Sequence, residues 1–544
     1  MSDFNLKRRD ALKMGGVAAL VSTAGPALVA CSGGGGGDVS NKGKDLVPYP
    51  DYIKADGPEP DLPGDEKTGL QGGYTKYPKE IESTGWDKPG DGSKVRAAII
   101  TYGVPPKKND SFVKAVNDAL GVELDIELMP GNEWKEKMTT LTASDDMPDI
   151  VMFGVGEIIP REHEFIQANC ADISDLVSGD NIKDYPGLAN IPTYAWKGVG
   201  RIGGKLYGIP TERPVFGGCL MVNRTALDKV DAPVEWTKDE YVKAMAELTK
   251  GKKYGLGMSN DLWIDYWAGS LGAPNEWKVS GGKFTTAFET DQFKGAIEML
   301  AKQFADKHVY PDSPNQPNIE NKTHYANTTV HAYRDGWGAM GTKAFQDAKD
   351  GYTLDFGYPF ADTDPTPWAG NGYFGYVVFK KAKKERLKML LDICNYLAAP
   401  FGTKEYELFN YGVEGKHFER DGDGVPIATK LWEKENKTNY PISYISAAPL
   451  TLFYPGYPDQ VERVYEWEKK VAGITIPNPM TGLRSKAVTQ KYNECRKTVL
   501  DGVLDVIFRG KDMKSFDETL KKWHSKGGDV MAEELAEEYE ASEE

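Results

Sequence analysis

The chain of 544 residues predicts an α/β protein of at least two lobes, on three observations. From residue 94 onward, short β-rich apolar runs alternate with amphipathic helical stretches over short links. That is the pattern of a sheet with helices on its faces. The pattern begins again after residue 205. About 450 residues follow a Gly/Pro-rich opening, too many for one core and suited to two or three domains, and apolar residues make up 40% of the chain.

Residues 1–30 read as an export signal. Lys7, Arg8 and Arg9 precede the apolar, small-residue run Gly15–Ala30, which is a basic start and a short hydrophobic core before a cut. The run falls short of the roughly 20 apolar residues of a membrane span. Leu28-Val29-Ala30-Cys31 is similar to a bacterial lipobox, which implies lipidation of Cys31 as the mature N-terminus. Arg8 to Lys13 resembles a twin-arginine signal but departs from it at Lys7 and Ala11, so the Sec route stays open. Ser32-Gly33-Gly34-Gly35-Gly36-Gly37-Asp38 has no side chains to pack. Residues 31–93 carry turn pairs such as Gly57-Pro58, Pro63-Gly64 and Pro89-Gly90 without apolar periodicity. They are expected to form a lipid-anchored tether, partly laid against the body.

In the body, Val95–Tyr102 is a predicted strand, Ser111–Leu120 a helix and Val122–Met129 a strand. Glu133–Ala143 is a helix with Asn132 as its N-cap, and Asp149–Phe153 a strand. Ligands of such sheets bind beyond the carboxyl ends of the strands, here at Tyr102 and at Gly154–Glu157. Leu206–Pro210 and Cys219–Asn223 are strands. Thr237–Leu248 is a helix, with Thr237 and Glu240 spaced as a capping box. Tyr254–Met258 is a strand and Thr290–Asp306 a long amphipathic helix. Gly338–Gly341, Leu354–Tyr358 and Gly375–Phe379 are strands. Helices follow at Lys384–Leu397, Gly402–Asn410, Ser485–Phe508 and Ser515–Trp523, and the acidic end Glu533–Glu544 is expected to fray.

The formal charge is −15, and it becomes −17 once residues 1–30, with four cationic and two acidic side chains, are removed. An acidic body argues against nucleic acid, which needs basic patches. Cys170, Cys219, Cys394 and Cys495 are far apart, and their spacing suggests buried free thiols rather than a zinc site or a disulfide scaffold.

Asp146-Met147-Pro148-Asp149-Ile150-Val151, Gly204-Lys205-Leu206-Tyr207-Gly208-Ile209-Pro210 and Leu220-Met221-Val222-Asn223-Arg224 come in an order and spacing that resemble family 1 of the extracellular solute-binding proteins, the sugar-binding components of ABC importers. Gly336-Trp337-Gly338-Ala339-Met340 is similar to that family's Gly-x-x-Ala-Met strand. Tyr411-Gly412-Val413-Glu414-Gly415 and Ser525-Lys526-Gly527-Gly528-Asp529 resemble motifs of the larger, alginate-oligosaccharide-binding type. The resemblance covers residues 94 to 540. It implies a periplasmic-binding-protein-like two-lobe clamp, each lobe a mixed sheet flanked by helices and joined by hinge crossings. Residues 94–221 and 372–470 are assigned to the first lobe, 222–371 and 471–544 to the second. The implied partners are a carbohydrate ligand and the permease subunits of an ABC importer. The implied protein is a monomer without catalysis or cofactor, held through Cys31 at the extracytoplasmic face of a bacterial membrane.

Sugars present flat C–H faces rimmed by hydroxyls, which suit aromatic rings beside polar groups. The chain has 12 Trp and 28 Tyr. Asn260, Trp263, Tyr266 and Trp267 follow the strand at Tyr254–Met258. Trp337, Trp368, Asn371 and Tyr373 fall at later strand ends. Glu212 and Arg213 follow the Gly-Ile-Pro-Thr motif. With Tyr102, Glu157, Tyr411 and Glu414 they complete the candidate ligand-binding set. Trp263 and Trp267 lie four residues apart, which also suits one buried helix face. Arg213 and Arg334 could pair with a uronic acid carboxylate.

Gly370-x-Gly372-x-x-Gly375 matches a dinucleotide motif but runs into a strand instead of opening a helix. It reads as a crossing between lobes. Asp421-Gly422-Asp423-Gly424 has Val425 where a calcium loop needs its third oxygen ligand, so a turn is expected. A peptide binder of the same clamp, and a lipid-anchored glycoside hydrolase with a carboxylate pair, remain the alternative readings.

Overall fold

The structure, a computed structural model, describes residues 39–543 apart from Lys108, 156–157, Leu262 and 337–352. The readings at Cys31, Glu157, Trp337 and 338–341 lie outside the described residues.

The first lobe is built on β1 (Lys94–Thr101), β2 (Glu123–Pro130), β3 (Ile150–Phe153) and β4 (Gly208–Glu212), with a fifth strand that arrives from the other lobe. β3 is apolar and buried throughout, and β1 is buried from Ala97 onward, as for parallel strands covered on both faces. Parallel pairing of β1 with β2 and β3 requires crossover helices, and the sequence supplies them. In Ser111–Leu120 the buried stripe Phe112, Val116, Leu120 recurs every four residues. Asp110 accepts from the amides of Phe112 and Val113, and Gly121 closes the helix at φ 69°. The helix Trp134–Thr142 has no side-chain cap, and Glu133, not Asn132, occupies its cap position.

The second lobe opens with β5 (Gly218–Asn223) and β6 (Tyr254–Gly257). The hairpin β7 (Trp277–Ser280) and β8 (Lys283–Thr286) follows, then β9 (Val330–Gly336) and β10 (Leu354–Phe356). Its sheet runs β10-β5-β9-β6. The helix Lys238–Leu248 has the expected capping box of Thr237 and Glu240. β11 (Tyr373–Phe379) returns the chain to the first sheet, in the order β2-β1-β3-β11-β4, and pairs antiparallel with both neighbours. The small hairpin β12 (Phe418–Arg420) and β13 (Pro426–Ala428) sits on the first lobe. In its turn Asp421 Oδ1 accepts from the amides of Asp423 and Val425.

Sheet membership moves the assigned boundaries. β5 belongs wholly to the second sheet, so the first crossing is 213–217 and not residue 222. The helix Pro458–Ala472 buries Val461, Val464 and Trp467 against Tyr333 and Phe356 of the second sheet, so the first lobe ends before it. The C-terminus does not fray. Asp529–Glu543 is a helix whose Met531 and Leu535 are buried in the second core.

Residues 39–93 are not a free tether. Val47 N donates to Gly204 O at 2.9 Å, Arg201 lies 3.8 Å over the Tyr49 ring, and Tyr77 OH donates to Glu407 at 2.8 Å. Tyr74 and Tyr77 pack on Phe401. The segment crosses the back of the hinge, where Gln71 N donates to Glu468 at 3.1 Å. Its anchors are irregularly spaced tyrosines, which leave no periodic signal in the sequence. The four described cysteines are buried free thiols. Among the described residues no helix is long and apolar enough to cross a membrane.

Candidate functional site

Strand directions bring the loop ends together. β1, β2 and β3 end, β11 begins and β4 ends at one edge of the first sheet. In the second sheet β5 begins beside the end of β9, with Gly218 opposite Gly336. The two edges are linked by 213–217 and 369–372. These crossings run alongside each other, with Arg213 N on Gly372 O at 3.0 Å and Gly370 N on Val215 O at 2.8 Å. Gly372 sits at φ 77°, a left-handed position that favours glycine. Gly370 and Gly372 therefore lie in the lobe crossing, not in a phosphate loop.

Between the edges lies a cavity of about 580 Å³ lined from both lobes, within the ~300–1,000 Å³ typical of small-molecule sites. The first lobe contributes Gly154, Glu162, His163, Tyr373 and Tyr376. The second contributes Trp263, Asp265, Asn275, Glu276, Arg334 and Trp368, and Asn478, Arg484, Tyr492 and Arg496 from the C-terminal stretch. Tyr376 OH donates to Glu162 at 2.6 Å. Burial raises the Glu162 carboxyl above its ordinary pKa and pushes the His163 imidazole well below its own. Asp265 holds Arg334 through both carboxylate oxygens. That pair fills the space a side chain at Gly218 would need: a Cβ there would lie 2.1 Å from Asp265 Oδ2. Glu276 holds φ 55°, a strained position for a residue with a Cβ. Its carboxylate gathers Tyr492 OH at 2.9 Å, Asn478 Nδ2 at 3.4 Å and Arg496 Nε at 3.6 Å. Arg496 also lies 4.5 Å over the Trp263 ring.

Of the residues chosen from sequence, the cavity brings together Trp263, Trp368, Asn371 and Tyr373. Tyr102 is 63% exposed at the same sheet edge, its ring 6.4 Å from Phe374. Arg213 lies 5.1 Å over Phe374 and donates to the Glu212 carbonyl. Trp267 is a correction. It is fully buried and its Nε1 donates to Tyr241 OH at 2.9 Å, so it is second-lobe core. Tyr266 packs on Trp267 and Phe360 and donates to Tyr358 O. The four-residue spacing of Trp263 and Trp267 does not make one stacking surface, because the helix starts only at Asp265.

Glu212 is buried facing residues 52–74 behind the hinge. There it accepts from Tyr194 OH at 2.6 Å and Leu450 N at 2.9 Å. Asn260 is exposed and bonded to Gln316 O. Tyr411 packs with Tyr77 and Tyr406, and Glu414 pairs with Arg420 at the surface. Sequence reasoning passed over Glu162, Glu276, Asn478, Arg484, Tyr492 and Arg496. The Pro477-Asn478-Pro479 turn before a helix was the one local signal among them.

Two sheet-and-helix lobes, joined by paired crossings around a cavity, are the architecture of a solute-binding clamp. The chain belongs to the bacterial extracellular solute-binding protein family, whose model matches residues 110–409. It is 25% identical over 477 residues to the polygalacturonan/rhamnogalacturonan-binding protein YtcQ of Bacillus subtilis, covering 84% of this chain and 93% of that one. Over 483 residues it is 23% identical to the lipoprotein LipO of the same organism, covering 83% and 93%. The fold is similar to a crystal structure of the alginate-binding protein AlgQ2, with a TM-score of 0.60 at 13% identity over 84% of this chain and 99% of that one.

Proposed function

We propose that this protein captures an oligosaccharide in the inter-lobe cavity and hands it, unchanged, to the permease of an ABC importer. The observation that carries the reading is the cavity's lining. Trp263, Trp368, Tyr373, Tyr376 and Tyr492 stand beside Asn, Glu and Arg side chains drawn from both lobes. Rings cover C–H faces and the polar groups bond hydroxyls. A ligand contacting both lobes draws them together about the crossings at 213–217 and 369–372. The relatives support the substrate class. YtcQ is named for binding polygalacturonan and rhamnogalacturonan, and AlgQ2 for binding alginate.

The same reading places the protein at the extracytoplasmic face of the membrane, held through lipid on Cys31 and working as a monomer without cofactor. The LipO relative, named as a lipoprotein, supports the anchor. A thermal-shift screen of oligosaccharides and peptides tests the ligand class. A binder at 100 times its dissociation constant adds about 2.7 kcal/mol of stability. Stabilisation by peptides alone, or release of shorter sugars from a bound oligosaccharide, would overturn the reading.

A further inference from the structure

We propose that the cavity takes a carboxylated sugar, a uronate, and that Arg484 is the residue that reads its carboxylate. The proposal rests on the carbohydrate reading and narrows it. Three guanidinium groups line the cavity, Arg334, Arg484 and Arg496. Two are matched by acids, Arg334 by Asp265 and Arg496 by Glu276.

Arg484 is not matched. It is 8% exposed. Its Nη1 donates to the adjoining Leu483 carbonyl at 3.2 Å and its Nε has no acceptor. Among the described residues it makes no ion pair. Among the described residues, Glu162 in the cavity and Glu534 at the adjoining Ser485 are engaged elsewhere. Glu162 spends Oε1 on Tyr376 OH and Oε2 on Ile159 N. Glu534 spends Oε2 on Ser485 Oγ and Ala487 N, at the start of the helix Lys486–Arg509. His163 is held neutral by burial and by Arg484 itself.

A buried guanidinium with open donors is costly, and its planar fork matches a carboxylate. Arg484 lines the cavity together with Trp263, Tyr373 and Tyr376. A hexuronate would meet the rings with its C–H face and Arg484 with its carboxylate. In a chain of net charge −15, an unmatched cation in the cleft confines anion binding to that place.

The test is calorimetric titration of the wild type with tetragalacturonate, tetramannuronate and tetraglucuronate. The methyl esters and neutral tetrasaccharides of the same linkage are titrated beside them. The expected result is binding of at least one uronate, weakened about 10- to 100-fold by esterification, as for loss of a charged hydrogen bond. Arg484→Gln should lose affinity for the acid by a similar factor and treat acid and ester alike, and Arg484→Lys should fall between. If Arg484→Gln does not fold, the esters on wild-type protein decide alone. An ester that binds as tightly as its acid overturns the proposal, as does folded Arg484→Gln with undiminished uronate affinity. Binding of neutral sugars only overturns it while leaving the carbohydrate reading in place. Binding of no sugar at all overturns both.

Discussion

Trp267 and Trp263 stand four residues apart, yet their replacement should have separable effects. Trp267 is fully buried in the second core, and its Nε1 donates to Tyr241 OH. A buried aromatic of this size hides about 150–250 Å², or roughly 4–6 kcal/mol at ~25 cal/mol per Å². Alanine recovers a small part of that. The substitution also strands the Tyr241 hydroxyl, which costs about 1 kcal/mol or more. Measured Trp→Ala changes in cores run at about 3–5 kcal/mol, and about 4 kcal/mol is expected here. For a lobe of this size that lowers its Tm by about 8–16 °C. Trp263 lines the cavity beneath Arg496 but is itself buried and packs on Phe288 and Phe293, so Trp263→Ala should cost some stability and, unlike Trp267→Ala, should also lose sugar affinity per folded molecule by about 2 kcal/mol, as for a buried anchor. Urea unfolding followed by near-UV dichroism gives the stability, and titration with sugar gives the affinity per folded molecule. If Trp267→Ala left stability intact while abolishing binding, Trp267 would return to the site and the core assignment would be refuted.

Cys31→Ser should shift the protein from the membrane pellet to the soluble fraction after salt washing, and a variant that stays in the pellet rules out the lipid anchor. X-ray scattering with saturating ligand should show a smaller radius of gyration than without, whereas an unchanged radius means a preformed pocket. Gly218→Ala should destabilise the second lobe, because the added Cβ would clash with the Asp265–Arg334 pair; an unchanged Tm would show that the pair gives way. His524 bonds Glu289 at 2.9 Å and Asp529 at 2.5 Å. These acids raise its pKa above 6.5 against the burial that lowers it. The stability this adds is therefore full below 6.5 and fades as pH rises through the raised value. Unfolding curves of wild type and His524→Gln should converge with rising pH, and parallel curves would show that His524 contributes nothing.

Much of the architecture was legible in the chain. Ser111–Leu120 and Lys384–Leu397 begin and end at the bounds that apolar spacing predicts. The capping box of Thr237 and Glu240 forms as written. Such signals are local, set by hydrogen bonds and periodicity within a few residues. The motif order led to the solute-binding family, and strand-end logic led to Trp263, Trp368, Asn371 and Tyr373. Tertiary structure decided the rest. Whether an aromatic is core or cleft depends on what packs over it, and the spacing of Trp263 and Trp267 holds no such information. Glu212 is the last residue of β4, but Tyr194 and, from far along the chain, Leu450 hold it to the back of the hinge. Residues 39–93 lack periodicity because their partners lie on the body's surface and not within the segment. Arg484 lines the same cavity as Glu162, more than 300 positions away in sequence. That it has no acidic partner among the described residues is visible only in the packed site, because an unpaired charge is a property of that site and of no segment alone.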